Sequence, residues 1–271
     1  MEAEKETRLK IPQVNAFDFR VKYSATDRKR HHYEITLHTH RELEIYINLS
    51  GDVSFLVGNT LYPLSRGDVI IARPGEYHHC VYRSDREHQL YWILFDSEAN
   101  RGLLDVLQGD FTENFISPDG HDREELLELC RLLQEGNPTE EEKIYAFLRM
   151  FAILKANRNT GKISREEMPE ELGKIVAYIH DNICGELLVA ELAKVFYISQ
   201  STLERMFKAH LDITPLEFIR RKKLALAAEL LRKGDSVLEA GTAVGYNDSS
   251  YFIRLFRQHY GCSPLQYKKR G

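Results

Sequence analysis

Residues 236–267 read SVLEAGTAVGYNDSSYFIRLFRQHYGCSPLQY, and the order of signals in that run decides the architecture of the C-terminal half. Ser236 with Glu239 three residues on is a capping box, so a short helix starts there. A turn through Gly245-Tyr246 ends it. Asp248 is the next N-cap, opening a longer helix whose Phe252, Leu255 and Phe256 face inward. Ser263-Pro264-Leu265-Gln266 then joins a capping box to a proline at the first helical position.

The same plan occurs earlier in the chain. Val189-Ala190-Glu191-Leu192-Ala193 leads through a turn at Ile198 into Leu203-Glu204-Arg205-Met206-Phe207-Lys208. Val237-Leu238-Glu239-Ala240-Gly241 leads likewise into Phe252-Ile253-Arg254-Leu255-Phe256-Arg257. Each longer helix bears Arg-x-Phe-basic, which is a helix-turn-helix plan used twice. Ser199 is a further N-cap, and Thr214-Pro215-Leu216-Glu217, again a capping box with proline at the first helical position, starts a connecting helix over about 215–232. Helices are expected to begin near 170, 188, 199, 215, 236, 248 and 264. Residues 170–271 hold 15 Lys and Arg against 12 Asp and Glu, whereas the first 169 residues hold 22 against 29. An acidic front and a mildly basic back suggest two jobs on one chain.

A recognition helix presents its N-terminal turns to base edges in the major groove. The outward residues are Gln200, Ser201, Glu204, Arg205 and Lys208 in the first motif, and Asn247, Ser249, Ser250, Ile253, Arg254 and Arg257 in the second. Arg205 and Arg254 are the base-reading candidates, because a guanidinium bonds bidentately to guanine O6 and N7, and Glu204 could accept from a cytosine amine. The competing reading is that each arginine pairs with an acidic neighbour or a phosphate. Arg220-Arg221-Lys222-Lys223 covers all sides of a helix, so one or two of the four are expected to reach phosphate. Lys268-Lys269-Arg270 reads as a frayed tail.

Val244-Gly245-Tyr246, the run Ser250 to Arg257, Gly261-Cys262-Ser263-Pro264 and Tyr267 together resemble the signature of AraC-family transcription regulators, over about the last 100 residues. The resemblance implies two helix-turn-helix subdomains on one long helix and double-stranded promoter DNA as partner. It places Ser201 and Ser250 at positions that contact DNA in the family, and adds RNA polymerase as a partner of an activator. One departure is Ala240-Gly241, where the family usually has Ile-Ala. Glycine inside a helix costs roughly 1 kcal/mol against alanine, and the lost methyl groups remove core volume, so the second subdomain is expected to be the looser. Two recognition helices on a stiff rod should enter successive major grooves roughly 34 Å apart.

From Phe17 to Phe95 the pattern is one of short strands, such as Leu43–Asn48 and Val53–Val57, broken at Gly51, Gly58-Asn59, Gly67 and Pro74-Gly75. Such spacing means a sandwich or small barrel, preceded by an arm of 16 residues. His38-Thr39-His40-Arg41-Glu42-Leu43-Glu44 with Gly51 fits HxHx3Ex6G, and Gly67 through Pro74-Gly75-Glu76-Tyr77-His78 is similar to its second half. These residues resemble the cupin pattern over about 17–95, with departures at Arg73 and Tyr82. The resemblance implies a small-molecule sensor, commonly for a sugar. Residues 38, 40, 44 and 46 share parity, so an unbroken strand turns His38, His40, Glu44 and Tyr46 to one face, with His78 joining from a neighbour.

Three readings of that cluster stand open. His38, His40, Glu44 and His78 could hold a divalent metal such as Fe, Mn, Ni or Zn, although the function requires no cofactor. They could anchor an organic ligand against an aromatic platform drawn from Tyr46, Tyr77, Trp92 and Phe17. Or they are a satisfied polar cluster. His31, His32, His79 and His88 lie off the motif and read as ordinary surface or packing histidines.

Two amphipathic helices follow, at about 121–135 and 139–157. In the second, Ile144, Phe147, Leu148, Phe151 and Leu154 form one stripe, widened by Tyr145, Met150 and Ile153. The stripe packs on the barrel, or on the barrel and on a partner helix in a homodimer. The expected class is α+β: a cupin-like β-barrel with its arm over 1–100, a helical dimerisation segment over 101–160, a linker over 161–169 and an all-α double helix-turn-helix domain over 170–271.

The composition, 43% hydrophobic and 29% charged over 271 residues, excludes a disordered chain. No apolar run approaches the roughly 20 residues of a bilayer span, and MEAEKETRLK has no apolar signal core. A cytoplasmic protein with no membrane partner is expected. Cys80, Cys130, Cys184 and Cys262 are too scattered for a metal framework. The functional expectation is a ligand-responsive, DNA-binding regulator and not an enzyme. Its rival, a cupin isomerase or dioxygenase with a helical dimerisation tail, leaves the doubled Arg-x-Phe-basic pattern unexplained.

Overall fold

In the computed structural model, which describes residues 6–10, 18–26, 42–58, 60–95, 113–158 and 168–270, the chain divides into the units Met1–Glu166 and Glu167–Gly271. The first unit carries strands β1 (Glu6–Lys10), β2 (Asp18–Thr26), β3 (Leu43–Ser50), β4 (Val53–Val57), β5 (Thr60–Leu64), β6 (Val69–Ala72), β7 (His78–Tyr82), β8 (His88–Phe95) and β9 (Phe115–Ile116). Helices α1 (Gly120–Glu135) and α2 (Glu140–Ala156) complete it. One sheet has the order β1-β2-β8-β3-β6-β9 and the other β5-β4-β7, with antiparallel pairing throughout the described strands. The N-terminal arm therefore contains an edge strand, tied down by β2 with Glu6 opposite Lys22.

The two-residue period of a strand sorts the side chains. Leu43, Ile45 and Ile47 of β3 face α1 and α2, in a core with Phe95, Leu126, Cys130, Phe147 and Phe151. Tyr46, between them in sequence, points the other way, into a core with Phe55, Tyr62, Ile70, Leu90 and Phe115. Ring pairs Tyr46–Phe55 (4.4 Å) and Tyr62–Phe115 (5.7 Å) join the two sheets across that interior. Strand β9 and both helices thus share the core of the strands before them. Of the stripe expected on α2, Phe147, Phe151 and Leu154 are buried, together with Ala146, Met150 and Ile153, while Leu148 and Tyr145 are exposed.

The second unit is helical: α3 (Glu170–Asp181), α4 (Val189–Val195), α5 (Gln200–Leu211), α6 (Pro215–Lys233), α7 (Val237–Ala243), α8 (Ser249–Tyr260) and α9 (Pro264–Arg270). Its caps are those the sequence announces. Ser199, Thr214, Ser236 and Asp248 each accept from a backbone N–H in the first turn. Ser236 with Glu239 and Ser263 with Gln266 exchange both bonds of a capping box. Thr214 caps alone, because the Glu217 carboxylate accepts from Arg220 and Arg221 instead. The C-terminal run is not frayed: Lys268 donates to the carbonyl oxygens of Gly234 (2.6 Å) and Asp235 (3.0 Å), closing the end of α6. Among the described residues no helix is long and apolar enough to cross a membrane.

Both motifs turn in the same way. The Ile198 N–H donates to the Ala193 carbonyl at 3.0 Å, and the Tyr246 N–H to that of Gly241 at 2.9 Å. The left-handed residue between helices is Tyr197 (φ 54) in the first and Gly245 (φ 79) in the second. The looseness expected from Ala240-Gly241 has a counterweight. A Cβ on Gly241 would stand 3.0 Å from the ring of Phe252, which occupies the space the smaller pair leaves.

Candidate DNA-binding surface and sensor pocket

Helices α5 and α8 bury Leu203, Phe207 and Leu211, and Phe252, Leu255 and Phe256, respectively, which turns their other faces outward. Gln200, Ser201, Glu204, Arg205 and Lys208 are exposed on α5, and Asn247, Ser250, Arg254 and Arg257 are exposed on or beside α8, with Ser249 half-buried. Among the described residues no carboxylate pairs with Arg205 or Arg254, so the competing reading of a local acidic partner loses ground. The Arg254 guanidinium lies over the Tyr251 ring, 5.3 Å from its centroid, which narrows the conformations open to it. Lys208 is drawn back to the end of its helix, with its ammonium 2.8 Å from the Asp212 carboxylate and 3.2 Å from its carbonyl oxygen. The Ser201 hydroxyl rests 2.9 Å from that of the cap residue Ser199.

The basic run of α6 is not a phosphate-facing row. Lys222 is 1% exposed and Lys223 is buried, out of reach of a phosphate. The Lys222 ammonium sits 5.2 Å from the Phe218 ring centroid, and burial pushes its pKa down to about 8, against the opposing pull of Asp181. Arg220 and Arg221 both hold Glu217, at 3.1 and 2.7 Å.

In the strand unit, β3 carries Glu44 and Tyr46 to the inner face, and β7 brings His78. The His78 Nε2 lies 3.4 Å from a Glu44 carboxylate oxygen. His78 Nδ1 is 2.9 Å from the Glu76 carbonyl oxygen, which can only accept, so Nδ1 carries the proton and the ring orientation is fixed. Phe55 stacks on His78 at 6.1 Å with an interplanar angle of 13°, and so links it to Tyr46. Trp92 pairs with Tyr46 across β3 and β8 and lies beneath the Lys22 ammonium, 5.3 Å from the ring centroid. His38, His40 and Phe17, together with His31 and His32, lie outside the described residues. Among the described residues no group of three or more histidine, cysteine or carboxylate side chains is placed to hold a metal ion.

Residues 23–152 match the family described as the AraC-like ligand binding domain, and residues 192–270 match the helix-turn-helix domain family. The chain belongs to the AraC family of transcription regulators. Its relatives include the uncharacterized HTH-type transcriptional regulator YfiF of Bacillus subtilis, 27% identical over 86% of this chain and 78% of its own. The HTH-type transcriptional activator RhaR of Mannheimia succiniciproducens is 23% identical over 89% of this chain and 91% of its own. RhaS of Escherichia fergusonii, also an HTH-type transcriptional activator, is 25% identical over 86% and 87%. The solved structure of ToxT from Vibrio cholerae O395 aligns over 93% of this chain and 97% of its own at 14% identity, with a TM-score of 0.39.

As an AraC-family protein the chain is a DNA-binding transcription regulator with a ligand-binding domain in front, and the metalloenzyme rival has no support. The interior of that domain holds more polar chemistry than the motif announces. His88 is fully buried, with Nε2 2.5 Å from the Tyr46 hydroxyl and Nδ1 3.9 Å from the Cys80 sulfur. The Tyr82 ring meets the His88 ring edge-on at 5.5 Å. His88 is a packing histidine at the centre of this interior, where it holds the Tyr46 hydroxyl. Burial, with Cys80 alongside, raises the Tyr46 pKa well above its usual value. Gly51, at φ 109, lets the β3–β4 turn lie against this histidine, since a Cβ there would stand 3.0 Å from the His88 Cα. The signal was present in the sequence: residues 88, 90 and 92 share parity, as do 78, 80 and 82.

Proposed function

We propose that this regulator responds to a neutral sugar-like effector and binds two promoter half-sites as a homodimer, in the cytoplasm. The observation that carries the effector reading is the Glu44–His78 pair beside the Phe55 ring, because a sugar site needs hydrogen-bonding anchors and an aromatic wall. Two donors alone do not make a metal site, so the pair serves here as polar anchors, and a divalent metal would need His38 and His40 as well. Exposed Tyr145, Leu148 and Ala152 recur at i, i+3 and i+7 on α2, which supports a second copy as the occupant of that stripe. Two relatives are named transcriptional activators, and on that reading RNA polymerase is a further partner.

Thermal shift of the full chain against a panel of neutral monosaccharides tests the effector reading, run beside Glu44→Gln. At least one sugar should raise the wild-type transition and leave the variant unmoved. A panel that moves neither chain, or both equally, rejects the pocket. Light scattering should report twice the mass of one chain, and Leu148→Glu should halve it.

A further inference from the structure

The burial of Lys223 raises the question of what its ammonium does inside a DNA-binding unit. Lys223 sits near the middle of α6, the helix that both motifs share. Its Nζ donates to the Gly185 carbonyl oxygen at 2.7 Å, in the segment joining α3 to α4. The same Nζ lies 5.6 Å from the centroid of the Tyr246 ring, in the turn joining α7 to α8. One side chain therefore grips the first subdomain through a charge-assisted hydrogen bond and the second through a ring face. The backbones meet at the same place. A Cβ on Gly245 would stand 2.9 Å from Lys223 Nζ, 3.0 Å from the Gly185 carbonyl oxygen and 3.1 Å from that of Cys184. At φ 79 and with carbonyls so close, Gly245 has no tolerated replacement.

Each recognition helix is anchored to its own core: Phe207 of α5 meets Phe218, and Phe252 and Phe256 of α8 pack with Leu224, Ala228 and Leu231. A change in how the α7–α8 turn sits against the α3–α4 segment would therefore carry α8 bodily relative to α5. We infer that Lys223 is a positioning residue, a latch that fixes the distance and angle between the two recognition helices and so the spacing of base elements this regulator accepts. The inference rests on the reading that both helices read base edges. Inserting one base pair moves the second element by roughly 3.4 Å along the axis, a shift that a latched pair cannot follow.

The probe is the DNA site that the wild-type chain selects from a random-sequence pool, and the same site with one base pair inserted between its two contacted major-groove segments. The wild type should bind the inserted site about tenfold or more weakly, or about 1.4 kcal/mol. Lys223→Met should hold the two spacings within about threefold of each other. Lys223→Arg, which still donates and still stacks, should restore discrimination, an outcome that a merely packing role would not produce. A Lys223→Met chain that discriminates as the wild type does overturns the latch.

If the wild type selects no site, the base-reading claim fails while the latch is judged by distance. Spin labels on Lys194→Cys and Leu265→Cys, in a Cys184→Ser chain, should give one narrow distribution that broadens in Lys223→Met. An unchanged distribution overturns the latch. Tyr246→Leu, which removes the other partner, supplies both readouts should Lys223→Met not fold.

Discussion

The first helix-turn-helix buries Leu192 and Ala193 of α4 and Leu203 of α5, whereas at the matching places the second buries Ala240 and Gly241 of α7 and Phe252 of α8. The larger Phe252 ring fills part of the space that Ala240 and Gly241 leave, so the two motifs divide their side-chain volume differently between the helices. The turns differ for another reason. Tyr197 occupies the left-handed position of the first at 96% exposure, where nothing crowds it. The equivalent Gly245 lies against the carbonyls of Cys184 and Gly185. A small residue in a core can thus be offset by a neighbour, while one at a backbone crossing cannot.

Substitutions at these places break or sharpen the comparison. Phe252→Ala leaves Ala240 and Gly241 facing a void and should lower the stability of the helical unit by about 3–5 kcal/mol. Helical circular dichroism in urea follows that unit together with α1 and α2, and the fluorescence of Trp92, the sole tryptophan, follows the strand unit and separates the two. Gly241→Ala combined with Phe252→Leu recreates the Ala193–Leu203 pair of the first motif, and the two changes should couple favourably by about 1 kcal/mol or more. Strict additivity would show that the two positions do not share one space.

The turns predict opposite signs. Gly245→Ala should cost at least about 1–2 kcal/mol from the left-handed backbone alone, before the clash with two carbonyls is added. Tyr197→Gly should gain about 1 kcal/mol, since it relieves a tyrosine of the same conformation. Melting of the helical transition checks both, and a gain in the first or a loss in the second would contradict the equivalence of the turns.

Acid sensitivity adds a test at one further position of the helical unit. Burial, with Arg221 adding to it and Glu217 opposing, pushes the His259 pKa from 6.5 down to about 4. The unfolded chain therefore binds a proton below about 6.5 that the folded chain refuses until about 4. The contribution of His259 is present above 6.5 and is lost as the pH falls through that window. Melts at pH 7 and pH 5 should show a larger loss for the wild type than for His259→Gln, and equal losses would refute the assignment.

Much of the helical unit was legible because capping is local. Ser199, Ser236, Asp248 and Ser263 find their donors within three residues, and no distant contact can rearrange them. Glu217 escaped that reading because Arg220 and Arg221, on its own helix, compete for its carboxylate. The burial of Lys222 and Lys223 depends on which elements lie against α6, information that no window along α6 contains. In the strand unit Glu44 and Tyr46 could be read from parity, yet His88 and Cys80 reach Tyr46, and Tyr82 reaches His88, through pairings between strands. The sequence motif named only one side of that interior.

Fluorescence anisotropy on the selected DNA site, comparing the wild type with Arg205→Ala and Arg254→Ala over a range of salt, tests the central claim most directly. Each variant should lose about 1–3 kcal/mol of binding and relax the preference at one base position, with little change in salt dependence. Equal affinities for all three chains, indifferent to DNA sequence, would contradict the assignment of α5 and α8 as recognition helices.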